Sequence, residues 1–425
     1  MRFFAGLQSQ LKHTRVTAVS VAKRARGLVL LSSLVLAACG GGGGSSAPTT
    51  PTTPTTPVVN NTVAMIVDSG PAGASGVINQ PYVSVTICQP GTTTCQTIDH
   101  ILVDTGSYGL RIISPGILNA SLSLPALQTS SGVAVGECVQ FTSGYTWGSV
   151  KLADVKMAGE VASGIPINIV GDPAAAFANT PAACRSSANS NLGTVANLGA
   201  NGILGIGVFK EDCPACATSA VTAHYYACDG NNCNSISLPI AQQVSNPVAA
   251  FPQDNNGVIL VLPSVAAGGL NSVTGSLIFG IGTQTNNAFA SETVFATNSS
   301  GNFKTTYKGK TLTESYLDSG SNGYYFNDSA ITPCSLSGGF YCPASPLGLS
   351  AVNISGDAQG STTGTINFFI ESVDSLPAPI TAAHIAGTAG NNTFDWGLPF
   401  FFGRRVFVAL ENASTPKGKG PYWAY

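Results

Sequence analysis

The stretch Ile101-Leu102-Val103-Asp104-Thr105-Gly106-Ser107 returns in shortened form at Tyr316-Leu317-Asp318-Ser319-Gly320-Ser321. This repeat constrains the chain more than any other feature, because it divides the sequence into two halves with one local plan. In each copy an apolar run specifies a buried strand, and Asp-(Thr/Ser)-Gly-Ser specifies the turn that follows it. Glycine lets the backbone bend sharply beside the carboxylate, while the hydroxyls bond the loop or the acid. Two such loops facing each other would bring the carboxylates of Asp104 and Asp318 to one point. Mutual repulsion would then leave one proton between them, so that one oxygen serves as base and the other as acid.

The repeat reaches upstream of both acids. Tyr82 to Ile87, a turn at Gln89-Pro90-Gly91 and a return from Gln96 to Val103 read as a hairpin feeding Asp104. Lys304 to Tyr307, a turn at Lys308-Gly309-Lys310 and a return from Thr311 to Leu317 feed Asp318 in the same way. Downstream of the first acid comes Asn201-Gly202-Ile203-Leu204-Gly205-Ile206-Gly207; downstream of the second, Asp395-Trp396-Gly397-Leu398-Pro399-Phe400-Phe401 is a poorer match. A glycine-bounded strand spans Gly275 to Gly282. A third Asp-Ser-Gly, at Asp68, is followed by Pro71 and reads as a strand end.

As an ordered set from about Pro81 to Leu410, these segments resemble the pepsin-like aspartic peptidases. The resemblance implies a mostly β, two-lobed pepsin-like acid-protease fold, with lobes over residues 59–255 and 256–425. It makes Asp104 and Asp318 the catalytic pair, with Thr105, Gly106, Ser107, Ser319, Gly320 and Ser321 as the supporting loops. It requires no metal, no cofactor and no covalent intermediate. In that family a flap hairpin carries a tyrosine that closes over the substrate. Here the exposed-looking aromatic hairpin Phe141 to Gly148 either puts Phe141 at that position and Tyr145 in the flap tip or simply packs its aromatics on the sheet. Arg111 stands where the family often has tryptophan, and its charge would pair with a neighbour or depress a nearby carboxylate. Beyond Asp318, Tyr324-Tyr325-Phe326 reads as a cleft wall or as core.

Residues 1–38 carry six basic residues, no acid and the apolar run Leu28 to Leu36, the pattern of a signal peptide. It ends at Leu36-Ala37-Ala38-Cys39-Gly40, which resembles the lipobox of bacterial lipoproteins and makes Cys39 the lipidated residue. Gly40, in place of the aspartate that retains such proteins at the inner membrane, favours the outer membrane. Residues 39–58, rich in Gly, Pro and Thr, lack the apolar surface to fold and read as a tether. Without residues 1–38 the chain keeps twelve basic residues against twenty acids, a formal charge of −8. That excludes nucleic acid as the expected partner, and the expected form is a monomer held to the membrane by its lipid.

Charged residues make up 9% of the chain, against about 25% in typical soluble domains. Gly, Ser, Thr, Asn and Val are correspondingly abundant, which suits short strands and turns. Apart from Cys39 there are ten cysteines, an even number in an exported chain, and disulfides are expected. Cys88 with Cys95 and Cys334 with Cys342 are spaced to clip local loops, leaving Cys138 with Cys184 across the first lobe. Cys213, Cys216, Cys228 and Cys233 could form two disulfides or, through the CxxC, a zinc site; the irregular spacing and the oxidising compartment favour disulfides. The Phe400-Phe401-Phe402 triplet reads as a buried short helix before a strand, with Trp423 and Tyr425 docking the tail. His100 reads as a strand-surface residue. The chain has no His-Glu-x-x-His helix and no Gly-x-Ser-x-Gly turn.

The leading function is therefore an aspartic endopeptidase of the cell envelope acting on polypeptide. The alternatives are a non-catalytic relative that binds peptides or envelope polymers in the same cleft, and a structural envelope protein. The size and layout also resemble a family of uncharacterised bacterial lipoproteins. If Cys39 carries the lipid, Cys39→Ser is expected to leave an unanchored or unprocessed precursor in which the ten other cysteines still pair. Mass spectrometry of the mature N-terminus checks this, and an unmodified N-terminus at another residue contradicts it.

Overall fold

The computed structural model describes residues 60–185, 190–230, 232–358, 360–376 and 381–425. The signal peptide, the tether and Cys39 lie outside them. Both expected hairpins form. Pro81–Cys88 runs antiparallel to Cys95–Asp104, and Phe303–Tyr307 runs antiparallel to Lys310–Leu317. Each follows from apolar residues entering the core from a strand bounded by turn residues. Val83, Val85, Ile87, Ile101 and Val103 are all buried. Asp68 ends the strand Thr62–Val67 and accepts a hydrogen bond from Gly70 N, so the third Asp-Ser-Gly is the strand end it was read as.

The same three-strand weave surrounds each acid. Cys95–Asp104 is parallel to Gly202–Ile206, which is antiparallel to the exit strand Tyr108–Ile113. Lys310–Leu317 is parallel to Thr393–Trp396, which is antiparallel to the exit strand Tyr324–Phe326. The two halves share a sheet as well. Thr62–Val67 pairs along its length with Val273–Phe279, and that sheet continues through Gly257–Val261, Arg405–Ala409 and Tyr422–Ala424. The chain is thus mostly β and two-lobed, with an internal repeat. Asn79 adds a second junction: its amide donates to the carbonyls of Asn322 (2.8 Å) and Ala382 (2.7 Å) in the other half.

The two cores differ in kind. Around the first acid they are aliphatic, including Ile112, Ile167, Ile169, Leu204 and Ile206. Around the second, Phe326 stacks on Phe394 at 4.9 Å and Phe394 on Trp396 at 4.2 Å. Tyr324, Tyr325 and Phe326 are core. The phenylalanine triplet is buried between a short 3-10 turn, Leu398–Phe400, and the strand Arg405–Ala409. Trp423 is buried in the last strand, which joins the sheet as a docked tail. His100 is partly exposed, beside Asp68 and Asp99. Five disulfides form, Cys88–Cys95, Cys138–Cys184, Cys213–Cys216, Cys228–Cys233 and Cys334–Cys342.

The aromatic hairpin takes the packed one of its two readings, not the exposed flap. The hairpin Ala134–Phe141 with Gly144–Met157 exists, but its aromatics are not exposed: Phe141 is 1% and Tyr145 8% accessible. Phe141 sits in a cluster with Tyr82, Leu102 and Ile203, and Tyr145 in one with Trp147 and the Cys138–Cys184 bridge. Phe141 is covered by the strands that serve the first acid, whereas Tyr145 packs against an added strand: Tyr225–Asp229 pairs with residues 134–137 at the base of the hairpin, and Asn232–Ser235 pairs with it in turn.

The segment bearing that strand is fastened by a buried charge cluster. Arg111 Nη2 lies 3.1 Å from Glu137 Oε1 and 3.2 Å from Asp212 Oδ1, with all three side chains at most 2% exposed. Burial alone would raise Asp212, but Arg111, followed by His224, holds it well below the usual carboxylate range. Burial pushes Glu137 well up, Arg111 countering only in part, and its bond to Asp212 fits a neutral donor beside an ionised acceptor. Arg111 thus supplies the guanidinium that faces the ionised Asp212, with His224 Nε2 3.4 Å from the other oxygen of that acid. Arg111→Met strands that anion and is expected to cost about 3–5 kcal/mol of stability, whereas Glu137→Gln, replacing a group already neutral, is expected to cost about 1 kcal/mol or less. The depressed Asp212 adds stability above its unfolded pKa and loses it as pH falls through the folded value; the raised Glu137 acts oppositely, its contribution being lost as pH rises through its folded value. Denaturant unfolding of both variants across pH checks this, and equal losses would contradict the assignment of charge.

Candidate active site

Each acid stands where its strand runs out of sheet and into a turn. The turn is tight because a remote strand presses on it. A Cβ on Gly205 would come within 2.6 Å of Tyr108 N, and one on Gly397 within 2.0 Å of Gly323 O, so only glycine admits this approach. The weak match at Asp395-Trp396-Gly397 is therefore the true counterpart of Ile203-Leu204-Gly205, since glycine is the part the packing demands.

The two loops grip each other reciprocally. Thr105 Oγ1 donates to Leu317 O at 2.8 Å and accepts from Ser319 N at 2.9 Å. Ser319 Oγ donates to Val103 O at 2.7 Å and accepts from Thr105 N at 3.1 Å. Each hydroxyl so bridges two backbone groups of the opposite loop, and all four bonds are buried. Gly106 lies against the other acid, where an added Cβ would be 2.8 Å from Asp318 Oδ2. The carboxyls of Asp104 and Asp318 are within hydrogen-bond reach of each other.

Their surroundings are unequal. Asp104 accepts from Gly106 N at 2.8 Å and from Ser107 Oγ. Asp318 accepts from Gly320 N at 2.9 Å, Ser321 N at 3.2 Å and Ser321 Oγ at 2.9 Å. Burial, and then the charge of Asp318, pushes Asp104 well above the usual carboxylate range. Burial also raises Asp318, but its donors from Ser321, Asp104 and Gly320 pull it back. The pair therefore holds a proton on Asp104 and a charge on Asp318, because more donors face the second acid. Neither acid is solvent-exposed, while Gly106 and Tyr108 at the loop are half-buried and mark where the site meets the surface.

All eight residues singled out in the two loops converge here; Phe141 and Tyr145 do not. The residue that sequence reasoning passed over is Asp395, whose Oδ2 is 2.6 Å from Ser321 Oγ. Its signal was its place, two residues before the glycine that packs on the loop. Among the described residues, two groups have ligand atoms within 4.8 Å of one another, Cys213, Cys216 and His224, and Cys334, Cys342 and Asp374. In both, the sulfurs are consumed in disulfides, so neither offers a thiolate for the zinc considered at the CxxC.

Among solved structures the chain is similar to an aspartic proteinase from Irpex lacteus, with 15% identity, 85% of this chain and 96% of that chain covered, and a TM-score of 0.47. No curated protein sequence matches it. The family model described as "Protein of unknown function (DUF3443)" matches residues 57–425, and the chain belongs to that family.

Proposed function

We propose that the protein is an aspartic endopeptidase of the bacterial cell envelope, tethered by a lipid on Cys39, in which Asp318 is the base and Asp104 the acid. The observation that carries this reading is the reciprocal Thr105–Ser319 grip, which fixes two carboxyls at hydrogen-bond reach with one better supplied with donors. A bound water gives a proton to Asp318 as its oxygen attacks the scissile carbonyl carbon, while Asp104 gives its proton to the carbonyl oxygen. The tetrahedral diol then collapses: the C–N bond breaks, the departing nitrogen takes the proton from Asp318, and Asp104 regains one from the diol. Products are a carboxylic acid and an amine, and both aspartates return to their starting states.

Two observations weigh against turnover and favour a second reading, a closed relative that binds peptides or envelope polymers without cleaving them. Both acids are at 0% accessibility, and the hairpin expected to act as a lid is built into a sheet. On the peptidase reading, the half-buried rim at Gly106 and Tyr108 must open to admit substrate.

The peptidase reading predicts a bell-shaped pH profile: activity falls in acid as Asp318 gains a proton and in base as Asp104 loses its own, and burial of both displaces the bell upward from the ordinary carboxylate range. Asp104→Asn and Asp318→Asn should each lower turnover of an unfolded-protein substrate by on the order of 10²–10⁴-fold or more with folding retained. Wild type that cleaves no better than either variant at any pH, yet retains peptides or envelope fragments, establishes the binding reading instead.

A further inference from the structure

The lobes repeat each other strand for strand around the acids, and at one buried position the second lobe puts an acid where the first has an aliphatic side chain. Ile203 lies opposite Leu102, two residues before Asp104; opposite Tyr316, two residues before Asp318, lies Asp395. The apolar member of the pair is at 0% accessibility and the acidic one at 2%. A carboxyl group has replaced a core aliphatic side chain directly behind one of the two acids.

Ser321 Oγ connects them, 2.9 Å from Asp318 Oδ2 and 2.6 Å from Asp395 Oδ2. A hydroxyl carries one hydrogen and can donate to only one of these oxygens. If both carboxyls were ionised, the other contact would set two lone pairs against each other, so one of the two acids must carry a proton and donate it to Ser321. The neighbours decide which. Asp318 has backbone donors from Gly320 and Ser321, whereas Asp395 Oδ1 is buried without a partner. Facing Asp395 are Asp318, Asp104, Tyr316 from the adjacent strand and Tyr325 from the next, and the charges acting on it are all negative. An ionised Asp395 would place uncompensated charge in the interior.

We propose that Asp395 is a neutral carboxylic acid that donates to Ser321 Oγ, committing the serine hydroxyl as a donor to Asp318 and thereby making Asp318 the ionised member of the pair and Asp104 the protonated one. The chain of donors runs in one direction, Asp395 to Ser321 to Asp318, and each bond polarises the next. Burial, and then the charge of Asp318, pushes the Asp395 carboxyl well up, in keeping with a neutral group. Asp395 is a positioning residue, acting on the reaction only through Ser321. The first lobe has no equivalent, since Ile203 cannot donate. The asymmetry of the pair thus originates behind it.

The assignment of roles rests on the peptidase reading, but the location of the proton does not, and the test separates them. Infrared difference spectra at neutral pH, in the C=O stretch of neutral carboxyl groups, should show one such group lost in Asp395→Asn relative to wild type. Asp104→Asn, recorded separately, reports the proton of the pair. Asparagine keeps the shape and can still donate to Ser321, and thermal unfolding verifies that the variant is folded. Kinetically, Asp395→Leu removes the donor and should move the acid limb of the profile upward by about half to one pH unit, with Asp395→Asn recovering most of the shift. An ionised Asp395 gives the opposite sign, because removing a negative charge beside Asp318 moves that limb downward. An unchanged infrared spectrum in Asp395→Asn, or a downward limb in Asp395→Leu, overturns the proposal. A lost carboxyl signal in a protein without peptidase activity upholds the neutral Asp395 and removes the peptidase reading alone.

Discussion

Two hydroxyl groups, on Thr105 and Ser319, hold the centre of this molecule together. Each reaches across the junction to satisfy a backbone N–H and a backbone carbonyl of the opposite loop, in a place buried from solvent. Buried backbone groups left unpaired are costly, so the loops are stable only in each other's presence. The strands that deliver the loops, the glycines that let remote strands press on them and the carboxyls that meet above them all take their positions from this contact. Repulsion between Asp104 and Asp318 works against it, and is relieved by holding one proton between them and by the donors that Gly106, Gly320 and Ser321 supply.

Much of this was legible in the sequence because it is local. An apolar run ending in Asp-Thr-Gly or Asp-Ser-Gly specifies strand and turn without reference to the rest of the chain, and the hairpins upstream repeat that information. The disulfides that close short loops were legible for the same reason. What escaped was set by distant partners. The burial of Phe141 and Tyr145 is set by distant segments, Phe141 by the neighbours Tyr82, Leu102 and Ile203 and Tyr145 by Tyr226 on the strand Tyr225–Asp229; nothing in the hairpin itself announces it. Arg111 was seen as a charge in an unusual place, but its partners Glu137 and Asp212 come from two other segments. Asp395 was obscured because a carboxyl group broke the apolar pattern by which such a strand is found.

The repeat is uneven, and packing explains where. Around the acids the strand order, the register and the hydroxyl bonds that cross between the loops agree in the two halves, while the neighbours beneath them are mainly aliphatic in one and aromatic in the other. A core tolerates exchange of apolar side chains that conserves filling, whereas a glycine pressed on a neighbouring backbone and a hydroxyl bridging two loops have no substitutes. The site therefore keeps its symmetry in the backbone and loses it in the side chains behind, at Ile203 and Asp395.

The grip closes a separation of 214 residues, and the sheet joining the halves pairs Thr62 with Ile278. Contacts of such sequence separation form late, because the intervening chain must be ordered first and cannot be so before it exists. A polypeptide emerging from its N-terminus builds the first hairpin and its acid long before the second acid has appeared. During that interval Asp104 is an ordinary carboxylate on an unfinished loop, with no partner to share its proton. The chemistry of the pair is in this sense a checkpoint on completion: it comes into being only when the last third of the chain has been delivered and docked.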